Sequence, residues 1–358
     1  MKYISKIIPI VLILITSIGY SLTFKDGKIV DSSENLKSNG ELEESNNPST
    51  GDEERYTLGG QWEVSSTDKE FIKYDEQETK INVNEKDVLE GRSFFDQQDI
   101  TNEYQIHTIY ILASDSKDKK YDVNGTIDKI LQQSNELLFK STKKKFRLDL
   151  TDDGNTDISF IRVNKTRKEI NRLENGAGYF TGMAILNGFH HPKKIYAIFY
   201  QDSYQREWGQ VGDAIFSGPN GEVEINSGVT YLSGQGPVSE AWIPNTHELF
   251  HALGFVQLCA PNAIVEKNSY WGKNDHLNIL NDIMSDRGGD HYKVDPKRNQ
   301  YYEHSNLNCE MDLKKSAYLK PTEKDFQLQP RSKSCKLTRW QPKYMHQRSL
   351  DCLEKLNF

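Results

Sequence analysis

The chain carries one stretch from which both a fold and a site can be read, His247-Glu248-Leu249-Phe250-His251. Residues four apart lie on one face of an α-helix, so His247 and His251 can offer two imidazole nitrogens to one Zn²⁺ ion. Glu248 follows His247 directly and can act as a general base toward a water on that ion. The stretch therefore predicts a helix, from about residue 240 to residue 253, that carries part of a metal site.

The flanking residues predict where this helix begins and ends. Asn245 or Thr246 can cap its start, and Pro244 before them is a residue that commonly marks a helix boundary. Gly254 can adopt the conformation in which a helix stops or turns. The pattern thus favours a short helix with the two histidines in its second half.

The continuation of the stretch to Gly254 gives H-E-x-x-H-x-x-G, the beginning of the metzincin signature. In that signature a third ligand follows three residues after the glycine, where this chain has Gln257. A glutamine amide oxygen is a poor zinc ligand, so the third ligand is expected elsewhere. His276 is the first candidate, with His291 second and Glu266 third, and His304 is a further rival.

A methionine-containing turn is predicted downstream of the helix. The sequence Asn281-Asp282-Ile283-Met284-Ser285 resembles the Met-turn that lies below the zinc site of metzincins, with Met284 in a structural role. His276 lies between the helix and this turn. His291 lies after the turn, and Glu266 lies closer to the helix than a second-helix glutamate normally does.

Several sequence blocks together resemble a family of secreted zinc peptidases found in actinobacteria. The family reads H-E-x-x-H-x-L-G-A-V, then C-A-P, then G-H, then D-L-M or D-V-M, and this chain has Cys259-Ala260-Pro261, Asp275-His276 and Asp282-Ile283-Met284 at the later blocks. The similarity covers about residues 104 to 320, and the family's glycine is Asp275 here. The resemblance implies that His247, His251 and His276 hold Zn²⁺ and that Glu248 is the catalytic base.

The pattern of apolar residues predicts an α/β (α+β) fold. Strands are expected at residues 106–113, 146–150, 158–163, 194–200 and 228–232, and helices at residues 126–140 and 166–174 before the zinc helix. The resemblance adds a metzincin-like mixed sheet with two long helices and a loop-rich C-terminal subdomain. The strand at 228–232 is a candidate edge for pairing with an extended substrate.

Composition and hydropathy divide the chain into four segments. Residues 1–21 combine Lys2 and Lys6 with an apolar run and predict a secretory signal peptide, or a membrane anchor if they are not cleaved. Residues 22–100 are expected to form a polar linker or pro-region that is partly disordered. Residues 101–320 are expected to form the metallopeptidase domain, and residues 321–358 a small cysteine-containing tail. The chain is therefore expected to be secreted.

The charge of the chain argues against nucleic acid as a partner. Its formal net charge is −7 at pH 7 and its pI is about 5.8. Binding to nucleic acid usually requires a basic patch with interleaved aromatic residues, which this sequence lacks. The expected partner is a protein or peptide substrate.

Four cysteines in an exported chain suggest two disulfide bonds. Cys259 and Cys309 lie inside the family-like region, whereas Cys335 and Cys352 lie in the tail. Four cysteines allow three pairings, and pairing within each region is the simplest of them.

These observations together predict a secreted zinc-dependent metalloendopeptidase that hydrolyses peptide bonds with a zinc-activated water. A second hypothesis, motivated by the unusual third-ligand position, is a catalytically inactive relative that binds zinc or acts in adhesion or partner binding. The retained Glu248 favours the enzyme, because a site that only binds zinc has no need of that base.

Overall fold

A computed structural model describes most of the chain from residue 83 onward. The described residues are 83–328 except 174, 205–207, 219–220, 235, 265–275, 288–291 and 310, together with four short strands before residue 66. The chain divides into two units, residues 1–50 and residues 51–358. In the first, the described residues are β1 (Leu22–Lys25) and β2 (Lys28–Asp31), which pair antiparallel. The predicted signal peptide, Cys335, Cys352, His291 and Glu266 lie outside the described residues.

The second unit is built on a seven-stranded mixed sheet with the order β3-β4-β9-β10-β8-β5-β7. Its strands are β3 (Arg55–Leu58), β4 (Trp62–Ser65), β5 (Gln105–Leu112), β7 (Ile158–Arg162), β8 (Lys194–Tyr200), β9 (Gly209–Gly218) and β10 (Gly221–Tyr231). Strands β10, β8, β5 and β7 pair in parallel, and β9 pairs antiparallel with β10 and β4. A separate two-stranded sheet joins β6 (Lys145–Phe146) and β11 (Leu319–Lys320).

In the described part of the chain, four α-helices accompany the sheet: α1 (Thr126–Thr142), α2 (Arg167–Ile170), α3 (Gly176–Leu186) and α4 (Trp242–Ala252). Short 3-10 helices lie at Glu85–Asp87, Val238–Glu240 and Leu313–Lys315. Among the described residues, none of the helices combines the length and the apolar character that crossing a bilayer requires.

The two faces of the sheet bury separate apolar cores because side chains alternate along each strand. On β5, Ile106, Tyr110 and Leu112 face a core that includes α1 and α4. Ile109 and Ile111 face the other core, which includes α3. The helix predicted to carry the metal site therefore lies on the α1 side of a sheet that is covered on both faces.

The sequence predicted the mixed α/β class, and the structure confirms it. Strand β8 has the predicted bounds, and after α4 the described residues hold only a 3-10 helix and a two-residue strand as regular elements. The predicted strand at 228–232 is the end of β10, which pairs with β9 on one side and β8 on the other. The prediction that it is a free edge is therefore wrong.

The start of α4 also differs from the prediction. The helix begins at Trp242, so Pro244, Asn245 and Thr246 lie inside its first turns and do not cap it. Proline is tolerated here because the first N–H groups of a helix have no partner within the helix. The Asn245 side chain instead donates to Ser134 of α1 (2.9 Å), which ties the two helices together. At the other end Gly254 has φ +87°, the expected left-handed turn.

Residues 83–100, here called the N-terminal strap, are fixed to the sheet by buried ion pairs. Asp87 accepts two hydrogen bonds from the Arg162 guanidinium of β7, at 2.6 and 2.7 Å. Arg92 forms the same kind of pair with Asp122, also at 2.6 and 2.7 Å. The folded body therefore extends upstream of residue 101.

The later part of the strap is held by Lys194, the first residue of β8. Its ammonium group donates to Asp96 at 2.6 Å, to Asp99 at 2.5 Å and to Asp149 at 2.7 Å. Burial opposes the charge, but the hydrogen bonds to Asp149, Asp96 and Asp99 outweigh it, so the pKa of Lys194 is raised. The strap and the sheet thus share one buried cation.

Candidate metal centre

Helix α4 packs closely on the sheet because β10 has a glycine, Gly228, where the strand and the helix meet. A Cβ on Gly228 would lie 2.8 Å from the carbonyl carbon of Glu248 and 2.9 Å from the Leu249 nitrogen. Any larger residue would push against the helix backbone. The glycine therefore sets how closely the helix approaches β10.

The structure brings three histidine side chains together. His247 and His251 project from α4, and His276 comes from the loop that follows the helix. Their Nε2 atoms lie 2.9 Å apart for His247 and His251, 3.0 Å for His247 and His276, and 3.4 Å for His251 and His276. Three ring nitrogens at one point can hold one metal ion.

The other ring nitrogen of each helix histidine contacts a backbone carbonyl. His247 Nδ1 lies 2.6 Å from the Ile283 oxygen, and His251 Nδ1 lies 2.8 Å from the Phe255 oxygen. A carbonyl only accepts, so each Nδ1 donates and each neutral ring presents an Nε2 lone pair to the centre. Two lone pairs that face each other at 2.9 Å repel unless a cation lies between them.

Burial keeps these rings neutral. Burial and the neighbouring His276 lower the pKa of His247 to about 3, against the opposing effect of the Ile283 carbonyl. Burial, followed by the charges of His247 and His276, holds the pKa of His251 well below its usual value. Neutral imidazole is the form that binds metal ions.

Backbone hydrogen bonds hold His276 at the centre. The Ile264 nitrogen donates to the His276 carbonyl (2.9 Å), and the Leu277 nitrogen donates to the Met284 carbonyl (2.8 Å). Met284 itself is fully buried in the core on the α4 side. The loop with His276 is therefore paired directly with the predicted Met-turn.

A network of buried polar groups holds the predicted Met-turn in place. The Asp282 carboxylate accepts from the Met284 nitrogen (2.8 Å), the Asp295 nitrogen (3.0 Å) and the Tyr301 hydroxyl (2.8 Å). These bonds fix the turn that contains Ile283, whose carbonyl accepts the hydrogen bond from His247 Nδ1. Sequence patterns do not reveal this network, because Asp295 and Tyr301 meet Asp282 only in the folded chain.

The rival candidates that the structure describes lie elsewhere or have other partners. Gln257 is buried, and its side-chain oxygen accepts from the Met311 nitrogen at 3.0 Å. His304 Nε2 lies 2.7 Å from the Met311 carbonyl. His304 is not part of the group of three ring nitrogens.

The side chain of Glu248, a residue of α4, lies against the beginning of β9. It is 7% exposed, and its side chain runs past Gly209, where a Cβ would lie 2.6 Å from the Glu248 Cγ. With 100° of rotation per residue, Glu248 is on the same half of the helix as His247 and His251. Glu248 is therefore on the side of the helix that carries the two helix imidazoles.

A second cluster of possible metal ligands consists of Asp96, His107, Asp149 and Asp157. The Lys194 ammonium already donates to Asp96 and Asp149 there, so a cation is supplied by the chain itself. His107 also contacts the Ser159 hydroxyl at 3.0 Å, but both residues are fully buried on the sheet. No substrate can reach them, and the cluster serves to hold the strap.

A disulfide bond closes the part of the chain that supplies His276. Cys259 and Cys309 are joined, as expected, and the 50-residue separation encloses both His276 and Met284. A closed loop has fewer conformations when unfolded, which favours the folded state. The bond therefore limits how far these loops can move from α4.

Replacement of Cys259 and Cys309 by alanine together is expected to lower the free energy of unfolding by about 2–4 kcal/mol. Chemical denaturation of the double variant beside the wild type measures the effect. The matched control is the Cys335→Ala/Cys352→Ala variant, which leaves the loop around His276 closed. Equal stability of the Cys259/Cys309 variant and the wild type would contradict the role of this bond.

The comparisons with known proteins give no family. No family model matches the chain, and no curated protein matches it. One solved structure with some similarity is the crystal structure of wild-type OgpA from Akkermansia muciniphila, at a TM-score of 0.35 and 14% sequence identity. The match covers 59% of this chain and 62% of that chain. A likeness at this level carries no argument about function.

Proposed function

We propose that the protein is a secreted zinc-dependent metallopeptidase of metzincin type. The observation that carries this proposal is the convergence of three imidazole nitrogens, from His247, His251 and His276, with Glu248 next to His247 on the same helix. The Cys259–Cys309 bond supports export, because disulfides persist in oxidising compartments. The predicted signal peptide at residues 1–21 agrees with it.

The geometry of the nitrogens favours zinc. In a tetrahedral site with Zn–N distances of 2.0–2.1 Å, two ligand nitrogens are about 3.3 Å apart. The Nε2 separations of 2.9, 3.0 and 3.4 Å are close to that value. Among the described residues the group holds three protein ligands, the number found in catalytic zinc sites, where a water takes the fourth position.

The protein groups divide the chemistry between them. Zinc, when bound, supplies a Lewis acid that polarises the scissile carbonyl and makes water a better nucleophile at neutral pH. Glu248 takes the proton from the attacking water and passes it to the leaving amine. The Ile283 and Phe255 carbonyls hold the two helix imidazoles in the required tautomer.

Removal of the metal is expected to abolish hydrolysis reversibly. The purified wild-type protein should contain one zinc per chain and cleave casein or a mixed peptide library. Dialysis against a chelator should stop cleavage, and stoichiometric zinc should restore it. Cleavage that continues in the metal-free protein would contradict the proposal. Stoichiometric zinc without any hydrolysis would favour an inactive zinc-binding relative.

A further inference from the structure

The Glu248 side chain lies directly against the backbone of Gly209, the first residue of β9. A Cβ at this position would be 2.6 Å from Glu248 Cγ, 3.1 Å from Glu248 Oε1 and 2.9 Å from the Val229 carbonyl oxygen. Distances under 3.0 Å are closer than Cβ contacts in proteins, so something has to move. The Val229 oxygen belongs to the backbone of β10, which pairs with β9 at this point. This oxygen can therefore move only if the paired strands move with it.

Space, and not backbone conformation, is what this glycine provides. Gly209 is absent from the glycines with positive φ, whereas Gly254 is among them. An alanine can therefore adopt the same backbone angles at position 209. The atoms nearest to its methyl group would belong to the Glu248 side chain and the Val229 carbonyl, and the side chain is the more movable of the two.

We propose that Gly209 is a positioning residue: its missing side chain forms the slot that aims the Glu248 carboxylate at the metal centre. The inference rests on the proposed function, since it assigns a role in the same site. A group displaced from its reactive position by about 1 Å can cost about 10²-fold in rate. The slot lies on β9, outside the helix that carries two of the histidines.

The contrast with Gly228 separates positioning from support of the fold. At Gly228 an added Cβ meets the helix backbone, so a substitution there would shift His247 and His251 together with Glu248. At Gly209 two of the three nearest atoms belong to the Glu248 side chain and the third is the Val229 carbonyl oxygen. Gly209→Ala should therefore move the base and leave the three imidazoles in place.

Two measurements test this, one of them independent of hydrolysis. Gly209→Ala should bind zinc at wild-type stoichiometry and lower kcat by about 10²-fold with KM hardly changed. With Co²⁺ as the bound metal, the visible spectrum at low pH should match the wild type. The change of this spectrum with pH reports the ionisation of a water bound to the metal next to Glu248. In Gly209→Ala this pH dependence should match that of Glu248→Gln and differ from that of the wild type.

Gly176→Ala is the matched control. An added Cβ there would lie 2.7 Å from the Tyr204 ring, a similar overlap, but in the core on the α3 face. This variant should lose stability yet keep the wild-type kcat per folded molecule and the wild-type Co²⁺ titration. It thus separates displacement of Glu248 from general destabilisation.

The outcomes separate the two proposals. An active wild type with an equally active Gly209→Ala variant, or a Co²⁺ titration of that variant identical to the wild type, would overturn the positioning role alone. A wild type that retains neither zinc nor Co²⁺ would overturn the proposed function, and the positioning role with it. If metal is bound without hydrolysis, the Co²⁺ titration decides for or against the positioning role.

Discussion

His276→Ala is expected to reduce zinc affinity by orders of magnitude. Two imidazoles, His247 and His251, would remain where three converge now, and zinc sites in proteins need at least three protein ligands to hold the ion firmly. Zinc content after dialysis against metal-free buffer is the measurement. Peptide cleavage should fall with the zinc content.

His304→Ala provides the matched control for this experiment. It removes the same side chain from a position where the ring contacts the Met311 carbonyl and takes no part in the group of three. Gln257→Ala, His291→Ala and Glu266→Ala test the remaining rivals. If His276→Ala kept zinc like the wild type while one of these variants lost it, the ligand set would be wrong.

Glu248→Gln is expected to keep zinc and to lose about 10²–10⁴-fold in kcat. The amide has nearly the shape of the carboxylate and fits the slot beside Gly209, but it cannot accept a proton from water. Zinc analysis and peptide hydrolysis of the same preparation are both required. Near-normal turnover with full zinc occupancy would remove Glu248 from the mechanism.

Glu248→Gln and His276→Ala give different signatures. The first separates activity from metal content, whereas the second is expected to lose both. A protein that only binds zinc would lose the metal in His276→Ala, but it would have no hydrolysis for Glu248→Gln to remove. The pair of variants therefore distinguishes an enzyme from a zinc-binding relative.

The part of the site on α4 could be predicted from the sequence. On any α-helix the spacing of His247 and His251 places both imidazoles on one face, with Glu248 next to His247. His276 required more, since it is far from the helix in sequence. The family resemblance and its position before Met284 predict it as a ligand. The structure brings its ring nitrogen to the helix histidines. The slot at Gly209 could not be predicted, because nothing in the sequence pairs that residue with Glu248.

The elements that sequence patterns missed have clear physical reasons. Helix α3 contains Gly176, Gly178 and Gly182, which lower helix propensity, and it is apolar all round because both of its faces are buried. It therefore lacks the stripe by which helices are recognised. Strand β9 begins with Gly209 and includes Gly212, residues with weak strand propensity.

The buried ion pairs of the N-terminal strap set a limit on how the chain can be shortened. Lys194 and Arg162 are almost fully buried, and Asp87, Asp96 and Asp99 are among the carboxylates that neutralise them. Breaking a buried pair by removing one partner typically costs about 3–5 kcal/mol. If maturation trims the amino-terminal region, a cut that leaves the fold stable is expected to fall before Asp87. The new amino terminus would then keep the strap as part of the mature protein.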